Sequence, residues 1–273
     1  MTEKNDIRPN QSIELLKELH ILTRDGKLNQ DSKRKLKQVY HLYNFIEPLL
    51  KDVSSNGSNF TLVDHGAGKS YLGFILYDLF FKDISNGKVI GVETREELVK
   101  KSEELSHKLN FERMEFLNVS VKESMTTEKL PSEIDIVTAL HACDTATDDA
   151  IKFAINKKAK HIVLIPCCQA EVASILRKNK NESFGKTPLS ELWRHPMHTR
   201  EIGSVMTNAL RCLLLEAHGY QLTVTEFTGF EHSMKNELIL AKFTGSIRKN
   251  AQERSLAILE ELNLNELKER FIY

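Results

Sequence analysis

The chain has 273 residues, and 38 Lys plus Arg balance 38 Asp plus Glu to a formal net charge of zero. That length buries a full core as one large domain or a domain with extensions, and 41% hydrophobic with 28% charged residues is ordinary for a globular protein. The balance excludes a global basic field for nucleic acid or an acidic membrane, although a local basic face fits inside a neutral total.

The N-terminus, Met1 to Gln11, is polar and lacks the apolar stretch of a signal peptide, and no apolar run has the length of a bilayer span. Two amphipathic helices follow. The first covers roughly Ser12 to Leu22, ending before the Asp25-Gly26 turn, and the second runs from near Asp31 to Leu50 with Leu36, Val39, Leu42, Tyr43 and Ile46 at helical spacing. The first turns of the second helix are basic, with Lys33, Arg34, Lys35 and Lys37, and the polar stretch Asp52 to Asn59 reads as a linker. Residues 1–51 are thus expected to form a helical extension.

From Phe60 onward, short apolar runs alternate with helical patterns, which predicts βαβ units and a parallel sheet. Strands are expected at Phe60 to Asp64, Lys88 to Glu93, Met114 to Leu117, Ile134 to Leu140 and His161 to Pro166. Helices follow through Phe81, from Arg95 to Leu109, from about Asp144 to Asn156, and to about Lys178. Asn179 to Arg200 reads as a polar insertion, in which Trp193, His195, His198 and Arg200 are either a lid or a packed loop anchor. A long helix then spans about Ile202 to His218. Gln221 to Phe227 and Glu237 to Phe243 are β-rich runs with a short loop between them, so they should form an antiparallel hairpin. The core domain is expected over 60–245, with a charged helical tail over 246–273 carrying Leu256, Leu259, Leu262 and Leu267.

Val63-Asp64-His65-Gly66-Ala67-Gly68-Lys69-Ser70 lies at a strand end and opens a helix, where small residues let backbone N–H groups approach a ligand. Asp64 at the first strand tip suits the cationic end of a ligand, and Glu93 at the second suits both hydroxyls of a ribose. A P-loop would need a glycine where Val63 stands, and a dinucleotide fingerprint would need its third glycine where Tyr71 stands. A nicotinamide enzyme and a plain structural turn are the remaining alternatives.

Leu140-His141-Ala142-Cys143-Asp144 follows the fourth strand and Pro166-Cys167-Cys168-Gln169 the fifth, so both border the cleft at the carboxyl ends of the strands. His141 or Asp144 there can take or orient a proton. Cys143, Cys167, Cys168 and Cys212 form no CxxC pair, which predicts reduced thiols in a cytoplasmic protein. Adjacent cysteines are awkward for tetrahedral metal binding, so no metal is expected, and packed thiols are the simple alternative.

These segments, with the glycine loop, the Lys33-Arg34-Lys35-Leu36-Lys37-Gln38 entry and the Glu231-His232-Ser233-Met234-Lys235-Asn236 hairpin loop, resemble a family of methyltransferase-like proteins of the class I, Rossmann-like type. Its relatives include the eukaryotic tRNA acceptor-stem 2′-O-methyltransferases. The resemblance implies an α/β fold with a seven-stranded, mostly parallel sheet ending in an antiparallel hairpin. It implies S-adenosylmethionine as cofactor, held by Asp64, Gly66, Ala67, Gly68, Glu93, Asn118, Leu140 and His141. His141 and Asp144 are then the catalytic pair, and Cys167, Cys168, Gln169, Glu231, His232, Lys235 and Asn236 the substrate-binding set. RNA is the expected acceptor and a monomer the expected state. Protein or small-molecule acceptors, or a non-catalytic cofactor-binding module, are the alternatives. Two positions depart from the family pattern, Asp144 and Ser70, each where a glycine is usual, and the zinc modules of the tRNA enzymes are absent from this sequence.

Overall fold

The computed structural model describes residues 7–55, 57–140, 145–166, 170–179, 188–227 and 237–273. Among these, seven strands make one sheet in the order β3-β2-β1-β4-β5-β7-β6. β1 (Thr61–His65), β2 (Lys88–Glu93), β3 (Met114–Asn118), β4 (Ile136–Leu140) and β5 (His161–Ile165) are parallel. β7 (Glu237–Phe243) inserts antiparallel between β5 and β6 (Tyr220–Glu226). The hairpin expected from the last two β-rich runs therefore forms, and it ends a Rossmann-like sheet whose order reverses between β1 and β4.

Strand alternation sorts the core into two layers. β1 is buried along its whole length, as a central parallel strand must be. Leu62, Val89 and Ile136 pack on one face against α2 (Gln30–Ser54) and α3 (Tyr71–Leu79), with α4 (Glu96–Lys108) at its margin. Val63, Ile90 and Val137 point the other way, onto α6 (Thr145–Asn156) and α8 (Pro196–Ala217). Because the period is two, the strand-tip residues also divide: Asp64 and Glu93 fall on the α3 side and His65 on the α6 side.

The short α1 (Ile13–Glu18) is capped by the Ser12 side chain, and α2 by that of Asn29. α2 runs four residues beyond the expected end, so Asp52 is helical and Val53 is buried in the shared core with Phe60 and Leu62. The linker expected from Asp52 thus begins only after the helix. Along the sheet face α2 passes from the cleft end, where Leu36 and Val39 cluster with Ile75 and Tyr71, to the opposite end, where Asp52 meets His161.

Trp193 is buried with Val172, Leu176, Leu210, Leu259 and Phe271 under α7 (Glu171–Lys178), α8, α9 (Ala251–Glu261) and α10 (Lys268–Phe271). It is a packed anchor and not a lid residue. α8 starts at Pro196, six residues earlier than its apolar periodicity suggests. A further short helix, α5 (Val121–Thr126), falls where the sequence reading placed none. No described helix is long and apolar enough to cross a membrane.

Candidate active site

The site lies at the carboxyl end of β1 and β2, beside the reversal in strand order, where open α/β sheets bind ligands. The loop after β1 is held by its own backbone: the N–H groups of Gly66 and Ala67 both donate to the carbonyl of Val92. Gly66 and Gly68 have positive φ, 69° and 59°. A side chain on Gly66 would meet nothing within 4 Å, so the outer face of the loop is open to a ligand. Ser70, the residue at the usual third glycine, also sits in the left-handed region, with φ 50°. This is a backbone conformation that glycine adopts at least cost.

Glu93 occupies the tip of β2 and is almost fully buried. Its Oε2 accepts from the Gly68 N–H at 2.7 Å and from Arg95 Nη2 at 3.3 Å. Its Oε1 accepts from the backbone N–H and Nε of Arg95, both at 3.0 Å, and from the Thr94 hydroxyl at 3.2 Å. Burial pushes the carboxyl up, but the hydrogen bonds from Arg95 and Gly68 outweigh it and bring the group down to about 2. Glu93 is therefore a fixed anion beneath the glycine loop. Asn118, directly across the register at the tip of β3, donates to the carbonyls of Glu93 and Thr94 and so holds the same turn.

Asp64 departs from its expected orientation. Its carboxylate is turned inward, 2% exposed, where it accepts from the Thr138 hydroxyl at 2.8 Å and from the backbone N–H of Gly73 in α3. Thr138 stands directly opposite it on β4. The reason is local: the start of α3 offers an unsatisfied N–H on the same face of the strand. Burial lifts the carboxyl to about 7, against those two hydrogen bonds. Asp64 thus braces the loop from below and presents no charge to the open face.

His65, on the other face, is buried against Phe153 with ring centroids 4.8 Å apart, and burial lowers it to about 4, so it is neutral at physiological pH. Leu140 ends β4, half-buried. The remaining site residues expected from the sequence, His141, Asp144, Cys167, Cys168, Gln169, Glu231, His232, Lys235 and Asn236, lie outside the described residues. Among described residues Cys212 is the one cysteine, and burial raises its thiol to about 12, which makes it inert.

The open glycine loop, a buried carboxylate at the second strand tip and a supported third-strand turn fit the ribose and backbone of an S-adenosyl nucleoside. Fold and site together define the class: a Rossmann-like nucleoside-binding domain with the terminal hairpin of methyltransferases. The chain belongs to the family described as methyltransferase domain, whose model matches residues 34–175, just over half of the sequence.

Among curated proteins it is similar to the glutathione S-transferase C-terminal domain-containing proteins of cattle and mouse. The bovine protein is 24% identical over 234 residues, covering 80% of this chain and 34% of the relative. The mouse protein is 25% identical over 166 residues, covering 60% and 24%. The chain thus spans about a quarter to a third of the curated relatives it matches. Solved structures with a similar backbone include magnesium protoporphyrin IX methyltransferase from Synechocystis (12% identity, 85% of this chain and 93% of that one, TM-score 0.44). The N-terminal domain of human METTL16 is another (9% identity, 76% and 70%, TM-score 0.46).

Proposed function

We propose that this chain is an S-adenosylmethionine-dependent methyltransferase that acts on RNA in the cytoplasm, with the nucleoside of its cofactor seated on Gly66, Ala67, Gly68 and Glu93. Asn118 and Leu140 border it, and Asp64 supports it from beneath. The reading takes His141 and Asp144 as the groups that border the accepting atom. It takes Cys167, Cys168, Gln169, Glu231, His232, Lys235 and Asn236 as the acceptor's surroundings. Methyl transfer from a sulfonium is an in-line displacement, so the chain's work is to align acceptor and methyl in a dry pocket and to receive a proton from the acceptor.

The observation that carries the choice of RNA is the position of the basic start of α2. Its Leu36 and Val39 cluster with Tyr71, the first residue after the glycine loop, and its His41 ring lies 5.6 Å from that of Phe227 at the end of β6. The first turns of α2 thereby stand at the rim of the cleft. Lys33 and Lys37 are exposed there, and Arg34 and Lys35 contact Asp31 at 2.7 and 2.8 Å. Lys69 on the glycine loop and Lys101 on α4, both exposed, line a neighbouring groove of about 360 Å³. Lysines beside a cofactor site suit a phosphate backbone. The resemblance to tRNA methyltransferases points the same way.

The test incubates labelled S-adenosylmethionine and the full chain with separate RNA, protein and metabolite fractions. Label in RNA, lost when Lys33 and Lys37 are both changed to Glu and weakened steeply by added salt, supports the proposal. Label in protein or metabolites alone overturns it.

A further inference from the structure

A carboxylate has about four lone-pair positions, and Glu93 already faces five donors: the Thr94 hydroxyl, the backbone N–H groups of Gly68 and Arg95, and Nε and Nη2 of Arg95. A ribose diol brings two more. Two of the present donors are backbone N–H groups fixed by the glycine loop and by the start of α4, and they cannot leave without unmaking the site. The Arg95 side chain can leave. It is 59% exposed, and its Nη2 lies 3.9 Å from where a Cβ on Gly68 would stand, so the guanidinium lies against the loop's ligand-facing side.

We infer that Arg95 is an affinity-setting residue: its guanidinium occupies the ribose-hydroxyl position on Glu93 and must be displaced before the nucleoside seats. The inference rests on the reading that Glu93 accepts the ribose hydroxyls. Arg95 acts as a resident counter-ion. It balances the charge of Glu93 when no nucleoside is present, and every binding event works against it. Apparent affinity is then the intrinsic affinity multiplied by the fraction of chains whose Glu93 is released. Because the guanidinium is more than half exposed, the ion pair is of the weak, salt-screened kind, and the competition is modest and tunable by ionic strength. Removing the side chain leaves the Gly68 and Arg95 backbone donors in place, so Glu93 stays ionised and ready.

The test is isothermal calorimetry of S-adenosylhomocysteine binding to the full chain and to Arg95→Ala, Glu93→Gln and the double variant, at low and at about 1 M salt. Arg95→Ala is expected to bind roughly three- to sixfold more tightly than the parent at low salt. The gap should close at high salt, where the parent's ion pair is already weakened. Glu93→Gln should bind more weakly in both backgrounds, and the Arg95 effect should vanish in the double variant. Weaker or unchanged binding by Arg95→Ala, with Glu93→Gln still impaired, overturns the competition and leaves the Glu93 assignment standing. Full affinity in Glu93→Gln overturns both. Arg95→Gln, which keeps a neutral donor, should fall between parent and Ala, and it serves if the Ala variant folds poorly.

Discussion

Arg211 in α8 places its Nε 2.6 Å from Oδ1 of Asp148 in α6, with side-chain exposures of 0% and 8%. A buried ion pair is sustained only where further hydrogen bonds complete it, and here they radiate to the elements that frame the cleft. Arg211 also donates to Asn208, whose amide donates to Glu237, the first residue of β7. Arg270 of α10 forks onto Glu171, the first residue of α7, and lies 3.9 Å from Oδ2 of Asp148. The first turn of α6, the first turn of α7 and the start of β7 are thus tied through one polar cluster. Each of these follows a segment that the sequence singled out for the acceptor. Arg211→Met should cost about 3–5 kcal/mol, because it leaves a buried carboxylate without its main partner. Asp148→Asn in the same chain should return part of that loss, since the uncompensated charge is gone. Urea unfolding of the two variants checks both statements.

Asp64 sets a pH dependence of unusual sign. Its folded value, about 7, lies above the ordinary 3.8 because burial disfavours the charged form. A carboxyl raised in this way binds its proton more tightly folded than unfolded. Its contribution is therefore complete below the unfolded value and is lost as pH rises through about 7. Asp64→Asn can keep both contacts, with its amide oxygen accepting from Gly73 and its amide nitrogen donating to Thr138. The variant should flatten the decline in stability between about pH 4 and pH 7, a difference on the order of a few kcal/mol at the alkaline end. Denaturant melts across that range measure it, and an unchanged slope would mean that Asp64 is not a buried acid.

The legible parts of the chain were those where a periodic signal met a punctuating residue. β2 was read to the residue, since a β-branched run begins after Gly87 and stops at Glu93. α5 went unread because six residues carry no apolar stripe; its one signal was the Ser120 and Glu123 capping box. Pro196, in the first turn of α8, marked a start that the polar residues after it obscured. Asp64 is legible in the sequence as an acid near the end of β1, but its direction is not. That depends on Thr138, 74 residues away and brought opposite only by the register of β1 on β4. Arg211 was equally silent, because an arginine in an amphipathic helix reads as solvent-facing until the helices around it are in place.

Gly91 is the point where strand packing controls the site. It lies opposite Asp64 on β1 and Phe116 on β3. A Cβ there would stand 2.8 Å from the Ser70 hydroxyl oxygen and 2.9 Å from the Phe116 ring. Ser70 is buried and held in a left-handed turn, so it has little room to yield. Gly91→Ala should cost about 1–3 kcal/mol through overpacking. It should also weaken S-adenosylhomocysteine binding, because Glu93 is two residues further along the same strand. Adding Ser70→Gly removes one of the two clashes and suits the left-handed backbone, and it should recover part of the loss. Unfolding curves and calorimetric affinities of the single and double variants decide the point.

At the opposite end of the sheet His161, 1% exposed, has its Nε2 2.8 Å from Oδ2 of Asp52, with Lys242 3.6 Å from the same oxygen. Burial holds the imidazole below its usual 6.5, with Asp52 opposing, and the hydrogen bond from His161 leads the lowering of Asp52. The neutral ring donates to the carboxylate, and this contact fastens the last turn of α2 to the first residue of β5. Both groups bind protons less tightly in the folded chain, so their contribution is present at neutral pH and is lost on acidification, the reverse of Asp64. For His161 the window opens as pH falls below 6.5. Gln at position 161 offers an amide donor to Asp52 but takes up no proton. His161→Gln should therefore change stability at about pH 8 by less than roughly 1 kcal/mol, while flattening the loss that sets in as pH falls below 6.5. A variant carrying both Asp64→Asn and His161→Gln should lose both limbs of the stability profile. If the acid limb persists in that chain, the proton uptake belongs to other groups and the α2 anchor is not the acid-sensitive joint.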